Sequence, residues 1–193
     1  MQLRQNIIKV IFGICVLLFL QGCLNVNLKS VLPNQTYYSL DTTSVTQQCA
    51  KKTNTFALNV SVLSPYDSKD ILLYNSKQEI KTLDNYKWID LPKNMIRNAF
   101  IKTAANQCLQ IEQNPLLSQR LNMVRINVYD LYVLNDGQTN KAHIYMTYEV
   151  LGHDMRRIKE GDMQTDSTND NPAIAMQSAM NEALQKIAQE LKK

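Results

Sequence analysis

The chain contains few of the residues from which catalytic and metal-binding motifs are built. It has only two histidines, His143 and His153, and only five glycines in 193 residues. Neither histidine has an aspartate or glutamate at metal-ligand spacing, and the His-Glu-x-x-His, Gly-x-Ser-x-Gly and Walker patterns do not occur. We therefore predict that the protein is not an enzyme and has no catalytic residue, no metal site and no cofactor, and that both histidines are ordinary polar surface side chains.

Long hydrophobic runs and clustered cations are also scarce. The main apolar run, residues 7–20, is shorter than the roughly 20 residues that a membrane-spanning helix needs. The formal net charge is only +4, and lysine and arginine are not interleaved with aromatic residues, so we expect no nucleic-acid partner. A small basic cluster, Arg156, Arg157 and Lys159, fits a charged edge strand, and an anionic partner or lipid head group is the alternative.

The N-terminal segment has the layout of a secretory signal. Arg4 and Lys9 accompany an apolar run that ends at Leu20. The following residues, up to Cys23, complete a Leu-Gln-Gly-Cys sequence that resembles the bacterial lipobox, in which the cysteine is acylated and becomes the first residue of the mature protein. We predict a signal peptide over residues 1–22 and lipid attachment at Cys23, which would hold the protein on a membrane. A permanent transmembrane helix and a buried core helix are the alternatives for this segment.

The remaining chain has the size of one domain. Removal of residues 1–22 would take away two cations and no acids, so the net charge would fall from +4 to about +2. Residues 23–36 are polar and small, which is typical of a flexible tether, and residues 37–193 form the predicted domain. Cys49 and Cys108 then remain as an even pair in a compartment that permits disulfides. A disulfide between these two residues is the favoured interpretation, and two unpaired buried thiols are the alternative.

Alternating and helical patterns predict the elements of this domain. Four strands are expected first, and then a helix from a capping Asp90 and Pro92 to about Cys108. A three-strand meander follows, in which Val124, Ile126 and Val128 share a face while Leu131, Val133 and Tyr129 have the opposite phase, which predicts a bulge. After a polar loop at 165–171, a last helix is capped by Asn171 and begins with Pro172. The predicted strands are residues 37–40, 56–63, 71–74, 77–88, 124–133, 142–150 and 155–164.

This order of elements predicts an α+β fold. Each helix carries one apolar stripe and the clearest strand carries one apolar face. We therefore expect two layers: a mainly antiparallel sheet with two amphipathic helices packed on one face. Tyr66, Tyr86 and Trp88 precede the first helix, and they are interpreted either as core or rim packing or as a partner-docking or lipid-contact surface.

The same features, in their order along the chain, resemble a known family. They are Tyr37-Tyr38-Ser39-Leu40, Ser64-Pro65-Tyr66, Ile71-Leu72-Leu73-Tyr74, Tyr86-Lys87-Trp88 before the Pro92 helix, and an alanine-rich last helix from Ala173 to Leu191. Behind a lipobox, this order resembles the ABC-type transport auxiliary lipoproteins of the paraquat-inducible lipoprotein C type.

The resemblance implies a location, partners and a role. Such lipoproteins are anchored at the periplasmic face of the outer membrane, where they assist mammalian-cell-entry domain proteins and an ABC transporter that move lipids between the two membranes. The family has no catalytic residues, and only Cys23 is carried over as a functional position. Leu24, rather than aspartate, follows Cys23 and favours outer-membrane sorting. The alternatives are a lipoprotein that binds a small hydrophobic ligand and an envelope hydrolase, for which a buried His143 or His153 paired with a carboxylate would be expected.

Overall fold

The computed structural model describes residues 34–50, 54–75, 77, 79–113, 120–135, 137 and 139–193. The predicted signal peptide, Cys23 and most of the predicted tether therefore lie outside the described residues. Within the described part, eight strands and two helices follow one another along the chain. They are β1 (Thr36–Tyr38), β2 (Thr55–Val62), β3 (Asp70–Asn75), β4 (Ile80–Trp88), α1 (Pro92–Asn106), β5 (Gln110–Glu112), β6 (Asn122–Asn135), β7 (Asn140–Leu151), β8 (Arg157–Asn169) and α2 (Pro172–Lys192).

The long strand β6 organises a single mixed sheet. Along one edge it pairs in parallel with β2 and then with β3, which lie end to end, and along the other edge it pairs with the antiparallel β7. Beyond these, β8 is antiparallel to β7, β5 is parallel to β2, β4 is antiparallel to β3, and β1 is parallel to β4. Four of the seven strand pairings are thus parallel.

The α+β class is confirmed, but the predicted mainly antiparallel sheet is wrong. Alternation of apolar residues shows which face of a strand is buried, and it carries no information about which strand lies beside it. The predicted meander β6–β7–β8 does form. Strand β2, however, is joined to its neighbour β6 through β3, β4, α1 and β5, and a connection of this length allows the two strands to run parallel.

Both helices contribute their apolar stripes to one core with the sheet. The stripe of α1 includes Ile96 and Phe100, that of α2 includes Met180 and Leu184, and all four side chains are fully buried. The sheet contributes alternate side chains of β6 and β7, namely Val124, Ile126, Val128, Leu131, Val133, Ala142, Ile144, Met146, Tyr148 and Val150. Neither helix of the described part is long and apolar enough to cross a membrane.

The predicted bulge in β6 is confirmed. The pairing of β6 with β7 shifts between Val128 and Asp130, so that Tyr129 has no partner across the strands. The extra residue returns Leu131 and Val133 to the core face, where both are buried. The expectation that they point away from Val128 was therefore wrong, because the bulge compensates for the change of phase.

The two helices begin differently. Asn171 caps α2 as predicted, because its side-chain oxygen accepts hydrogen bonds from the backbone N–H groups of Ala173 at 2.9 Å and Ile174 at 3.3 Å. The predicted cap by Asp90 is wrong, since the N-cap of α1 is Leu91 and its side chain makes no capping bond. A carboxylate from the loop between β2 and β3, that of Asp67, instead accepts from the N–H of Lys93 at 3.2 Å.

A further difference concerns the residue at which β8 ends. Strand β8 continues to Asn169, so the predicted polar loop at 165–171 is wrong over most of its length. Its polar composition suits a strand whose outer side chains meet solvent, while the hydroxyl of the buried Thr165 donates a hydrogen bond to the Ala179 carbonyl of α2 at 2.9 Å.

Cys49 and Cys108 form a disulfide with Cα atoms 5.5 Å apart, which ties the chain before β2 to the chain after α1.

Candidate functional site on the outer sheet face

The face of the sheet opposite the helices carries the chemically interesting side chains. We call it the outer face. On β7 the core-facing residues from Ala142 to Val150 are buried, and the alternate residues between them point the other way because successive side chains of a strand lie on opposite faces. These outer residues are Lys141, His143, Tyr145, Thr147 and Glu149.

Four aromatic rings form a contiguous group on this face, which we call the tyrosine cluster: Tyr66, Tyr74, Tyr132 and His143. The ring of Tyr132 lies at its centre, with centroid distances of 4.3 Å to Tyr74, 5.0 Å to His143 and 6.3 Å to Tyr66. The hydroxyl of Tyr66 is 3.1 Å from that of Tyr74 and donates to a carboxylate oxygen of Asp130 at 3.3 Å. Aromatic pairs of this kind add to the stability gained from burial alone.

The fold explains why these rings meet. Tyr132 of β6 stands opposite His143 of β7, while β3 lies along the other edge of β6 and places Tyr74 beside them. Tyr66 comes from the loop between β2 and β3, which contains a cis peptide bond before Pro65. The cluster therefore covers the place where β2 and β3 are interrupted along β6.

Burial controls the ionisation of the cluster. It raises the pKa of the Tyr66 hydroxyl far above the usual value, and the neighbouring Tyr74 and Asp130 reinforce the effect. Burial, together with the charge of Asp130, also raises the pKa of Tyr132. Both hydroxyls are therefore protonated near neutral pH, so they can donate hydrogen bonds but do not serve as bases.

His143 is held more firmly than the sequence predicted. Its Nδ1 atom is 2.8 Å from a carboxylate oxygen of Asp166 on β8, and Lys141 contacts the other oxygen at 3.0 Å. Burial opposes ionisation of Asp166, but the hydrogen bonds from His143 and Lys141 hold its pKa below the usual value. The side chain of His143 is half-buried on the outer face, with 17% exposed, whereas His153 lies exposed in the β7–β8 turn.

A shallow concavity of about 530 Å³ lies on the outer face next to the tyrosine cluster. We call it the basin. Tyr129, which is the bulged residue, and Tyr145 stand together there with ring centroids 5.8 Å apart. Its lining residues are Tyr129, Tyr145, Thr147, Tyr148, Glu149, Glu160, Gly161 and Asp162.

The structure does not bring the three predicted docking residues into one surface. Trp88 is 1% exposed, so its side chain packs in the core and is not accessible to a docking partner. Tyr86 stacks on Tyr38 with centroids 5.5 Å apart, and Tyr66 lies in the tyrosine cluster. Tyr132 and Tyr145 were missed, although two tyrosines at outward-facing positions of neighbouring strands were a readable signal.

No metal site is found in the part of the chain that the structure describes, where three or more histidine, cysteine, aspartate or glutamate side chains do not converge. Lipid attachment at Cys23 lies outside the described residues and stays a prediction.

Comparison with known proteins identifies the fold. No protein-family model matches the chain. No curated protein sequence matches it either. Among solved structures, it is similar to a protein from Xanthomonas campestris of family DUF330, with 18% identity, a TM-score of 0.63, and coverage of 81% of this chain and 92% of that one. An uncharacterised protein shares 14% identity and a TM-score of 0.64, covering 82% of this chain and 99% of that one. At these identities the likeness shows a shared fold.

Proposed function

We propose that this protein is an outer-membrane lipoprotein that acts as a non-enzymatic accessory component of a lipid transport system. In this proposal the lipid on Cys23 holds the domain at the periplasmic face of the outer membrane. The domain binds a mammalian-cell-entry domain protein that works with an ABC transporter to move lipids between the inner and outer membranes. The observation that carries the proposal is the Leu-Gln-Gly-Cys sequence behind an apolar run, ahead of a single folded domain.

The outer face supports a binding role for the domain. Tyrosine is enriched at protein interfaces, since it combines a large apolar ring with a hydroxyl and loses little side-chain entropy on binding. In the tyrosine cluster and the basin, five tyrosine rings and the imidazole ring of His143 lie on the side of the sheet that the helices leave uncovered. Anchoring on a membrane raises the local concentration of a partner there, so a weak interface is sufficient.

The proposal is tested by chemical crosslinking in intact cell envelopes and purification of the full-length protein. We expect a mammalian-cell-entry domain protein among the crosslinked partners, identified by mass spectrometry. A Cys23→Ala variant, which cannot accept the lipid, should lose both the membrane attachment and this partner. Recovery of no transporter component from the wild-type protein would refute the proposal, and so would full retention of the partner by the Cys23→Ala variant.

One observation favours a second candidate, an envelope hydrolase. His143 and Asp166 form the histidine–carboxylate pair from which a general base is built. In the described part of the chain, however, the contacts of His143 are the carboxylate of Asp166 and the ring of Tyr132, and no serine, threonine or cysteine nucleophile is hydrogen-bonded to it. The accessory role expects His143→Gln to retain lipid transport as long as the protein stays folded, whereas a hydrolase would lose its activity.

A further inference from the structure

We propose that the basin binds an arginine or lysine side chain of the partner protein. This inference rests on the proposed function for the existence of a protein partner, but the chemistry of the basin is argued independently. It is carried by the two tyrosine rings, by the charges around them and by the open shape of the basin.

The aromatic pair supplies the first half of a cation site. The face of a tyrosine ring attracts a cation placed within about 6 Å of its centroid, and arginine is the cation most often found there. Tyr129 and Tyr145 lie 5.8 Å apart at the basin, with their planes inclined at 37°. Tyr129 remains 39% exposed, because as the bulged residue it has no partner on β7. Its ring is therefore accessible to a cation from outside the molecule.

The charges supply the second half. Three carboxylates line the basin, and two of them are already neutralised within the domain. Glu149 pairs with Arg125 at 3.2 Å and with Arg157 at 3.3 Å, and Arg157 also pairs with Glu160. The third carboxylate, Asp162, makes no hydrogen bond or ion pair with any residue that the structure describes. With three acids and two paired cations, the basin keeps one negative charge for an incoming cation.

The open shape of the basin favours a side chain from a protein. An open concavity on a sheet does not enclose a free ligand, but it can receive a side chain that a larger interface holds in place.

A peptide titration tests the chemistry of the basin directly. The full-length lipidated protein, kept in detergent and labelled with fluorotyrosine, would be titrated with acetyl-Gly-Arg-Gly-amide and followed by fluorine NMR. The signals of Tyr129 and Tyr145, assigned by single substitutions with phenylalanine, should shift with this peptide and much less with the neutral acetyl-Gly-Gln-Gly-amide. Equal shifts with the two peptides, or shifts confined to other tyrosines, would overturn the proposal.

Two variants separate the basin from general surface charge. Asp162→Asn should weaken binding of the arginine peptide by roughly threefold to fivefold, the range expected for one exposed ion pair. Glu182→Gln, which removes another exposed carboxylate, on α2, should leave binding of the arginine peptide unchanged. If the two variants bind the peptide equally well, Asp162 has no part in binding and the proposal is wrong. Increasing salt should weaken binding to the wild-type protein, because such pairs are screened.

A crosslinking experiment distinguishes failure of this inference from failure of the proposed function. A photoreactive benzoylphenylalanine in place of Thr147, in the basin, should crosslink in cells to a partner peptide that contains arginine or lysine near the linked position. The same probe in place of the exposed Ile174 on α2 is the control and should not crosslink to the partner. If chemical crosslinking recovers the partner while the basin probe does not, the inference fails and the proposed function stands. If chemical crosslinking recovers no transporter component, the proposed function fails. The peptide titration then remains as the test of whether the basin binds a cation.

Discussion

At the residue scale, the pairing of Gly161 with Tyr148 shows how a single missing side chain shapes the domain. The two residues stand opposite each other on β8 and β7, on the core side of the sheet. A Cβ atom on Gly161 would lie 2.6 Å from a ring carbon of Tyr148, which is closer than real Cβ contacts. The glycine therefore makes room for a tyrosine ring that is only 3% exposed. Close approach of another group is one of the reasons for a glycine inside a strand.

We expect Gly161→Ala to destabilise the protein. The added methyl group would force the buried ring of Tyr148 to move, at a cost of about 1–3 kcal/mol in the free energy of unfolding. Alanine also restricts the unfolded chain, which offsets about 0.4–1 kcal/mol of that cost. Urea denaturation of both proteins would measure the difference.

The same substitution in a Tyr148→Ala background is the control for this prediction. Without the ring there is nothing for the methyl group to displace, so Gly161→Ala should become neutral or slightly stabilising there. An equal loss of stability in both backgrounds would show that the contact between the two residues does not explain the glycine.

At the scale of elements, the disulfide ties the chain after α1 to the chain before β2. Cys108 lies directly between α1 and β5, and its partner Cys49 precedes β2, the strand with which β5 pairs. The bond closes a loop of sequence separation 59, which contains β2, β3, β4 and α1. A cross-link over a loop of this length restricts the unfolded chain strongly.

Removal of the disulfide should therefore lower stability more than a typical surface substitution does. For the Cys49→Ser/Cys108→Ser variant we expect the free energy of unfolding to fall by about 2–4 kcal/mol. Thermal unfolding with and without a reducing agent checks this prediction. The reductant should lower the melting temperature of the wild-type protein towards that of the variant and leave the variant unchanged. If the melting temperature of the wild-type protein does not change when its disulfide is reduced, the prediction is contradicted.

The elements also show how far sequence reasoning reaches. The strands β2, β3, β6 and β7 and the buried stripes of both helices were predicted, because each is encoded by a local period of apolar residues. The three-residue β5 was missed, since it is too short to have a period. The parallel pairing of β2 with β6 was missed because it depends on residues far apart in the chain.

The candidate site was predictable only in part, for a related physical reason. Tyr66 was identified as a docking candidate and His143 as a polar side chain, but Tyr145 was missed. Their neighbours Tyr74 and Tyr132 come from β3 and β6, and only the sheet order brings these strands together. Core packing and docking were both left open for Trp88, because the enrichment of tryptophan at interfaces does not distinguish an exposed ring from a buried one, and the structure shows core packing.

At the scale of the whole molecule, the two faces of the sheet carry different kinds of side chain. The inner face, with both helices, forms the hydrophobic core, and the outer face carries hydroxyls, carboxylates and a histidine over aromatic rings. Tyrosines on both sides are partly or wholly withdrawn from water. Burial raises the pKa of Tyr66, Tyr132 and Tyr148. Tyr66 and Tyr132 lie on the outer face of the sheet, and Tyr148 lies on its core side. The stability of the whole domain is thereby linked to tyrosine ionisation.

This linkage predicts a loss of stability in alkaline solution. A tyrosine whose pKa is raised by folding stays protonated in the native state while it ionises in the unfolded state above about pH 10. The stabilisation is therefore complete below the unfolded pKa and declines as the pH rises through it. Tyr66 should contribute most to the decline, since several causes raise its pKa in the same direction. The free energy of unfolding, measured in urea over a series of alkaline pH values, should fall progressively.

Tyr66→Phe tests the origin of this alkaline decline. The variant should be less stable at neutral pH by about 1 kcal/mol, because the hydroxyl of Tyr74 and the carboxylate of Asp130 lose a hydrogen-bond partner. Its stability should nevertheless fall less steeply with rising pH, because the ionisable group is gone. Tyr37→Phe, at a residue that is 58% exposed on β1, is the matched control and should retain the wild-type slope. If Tyr66→Phe keeps that slope too, ionisation of the tyrosine cluster does not limit the stability of the domain.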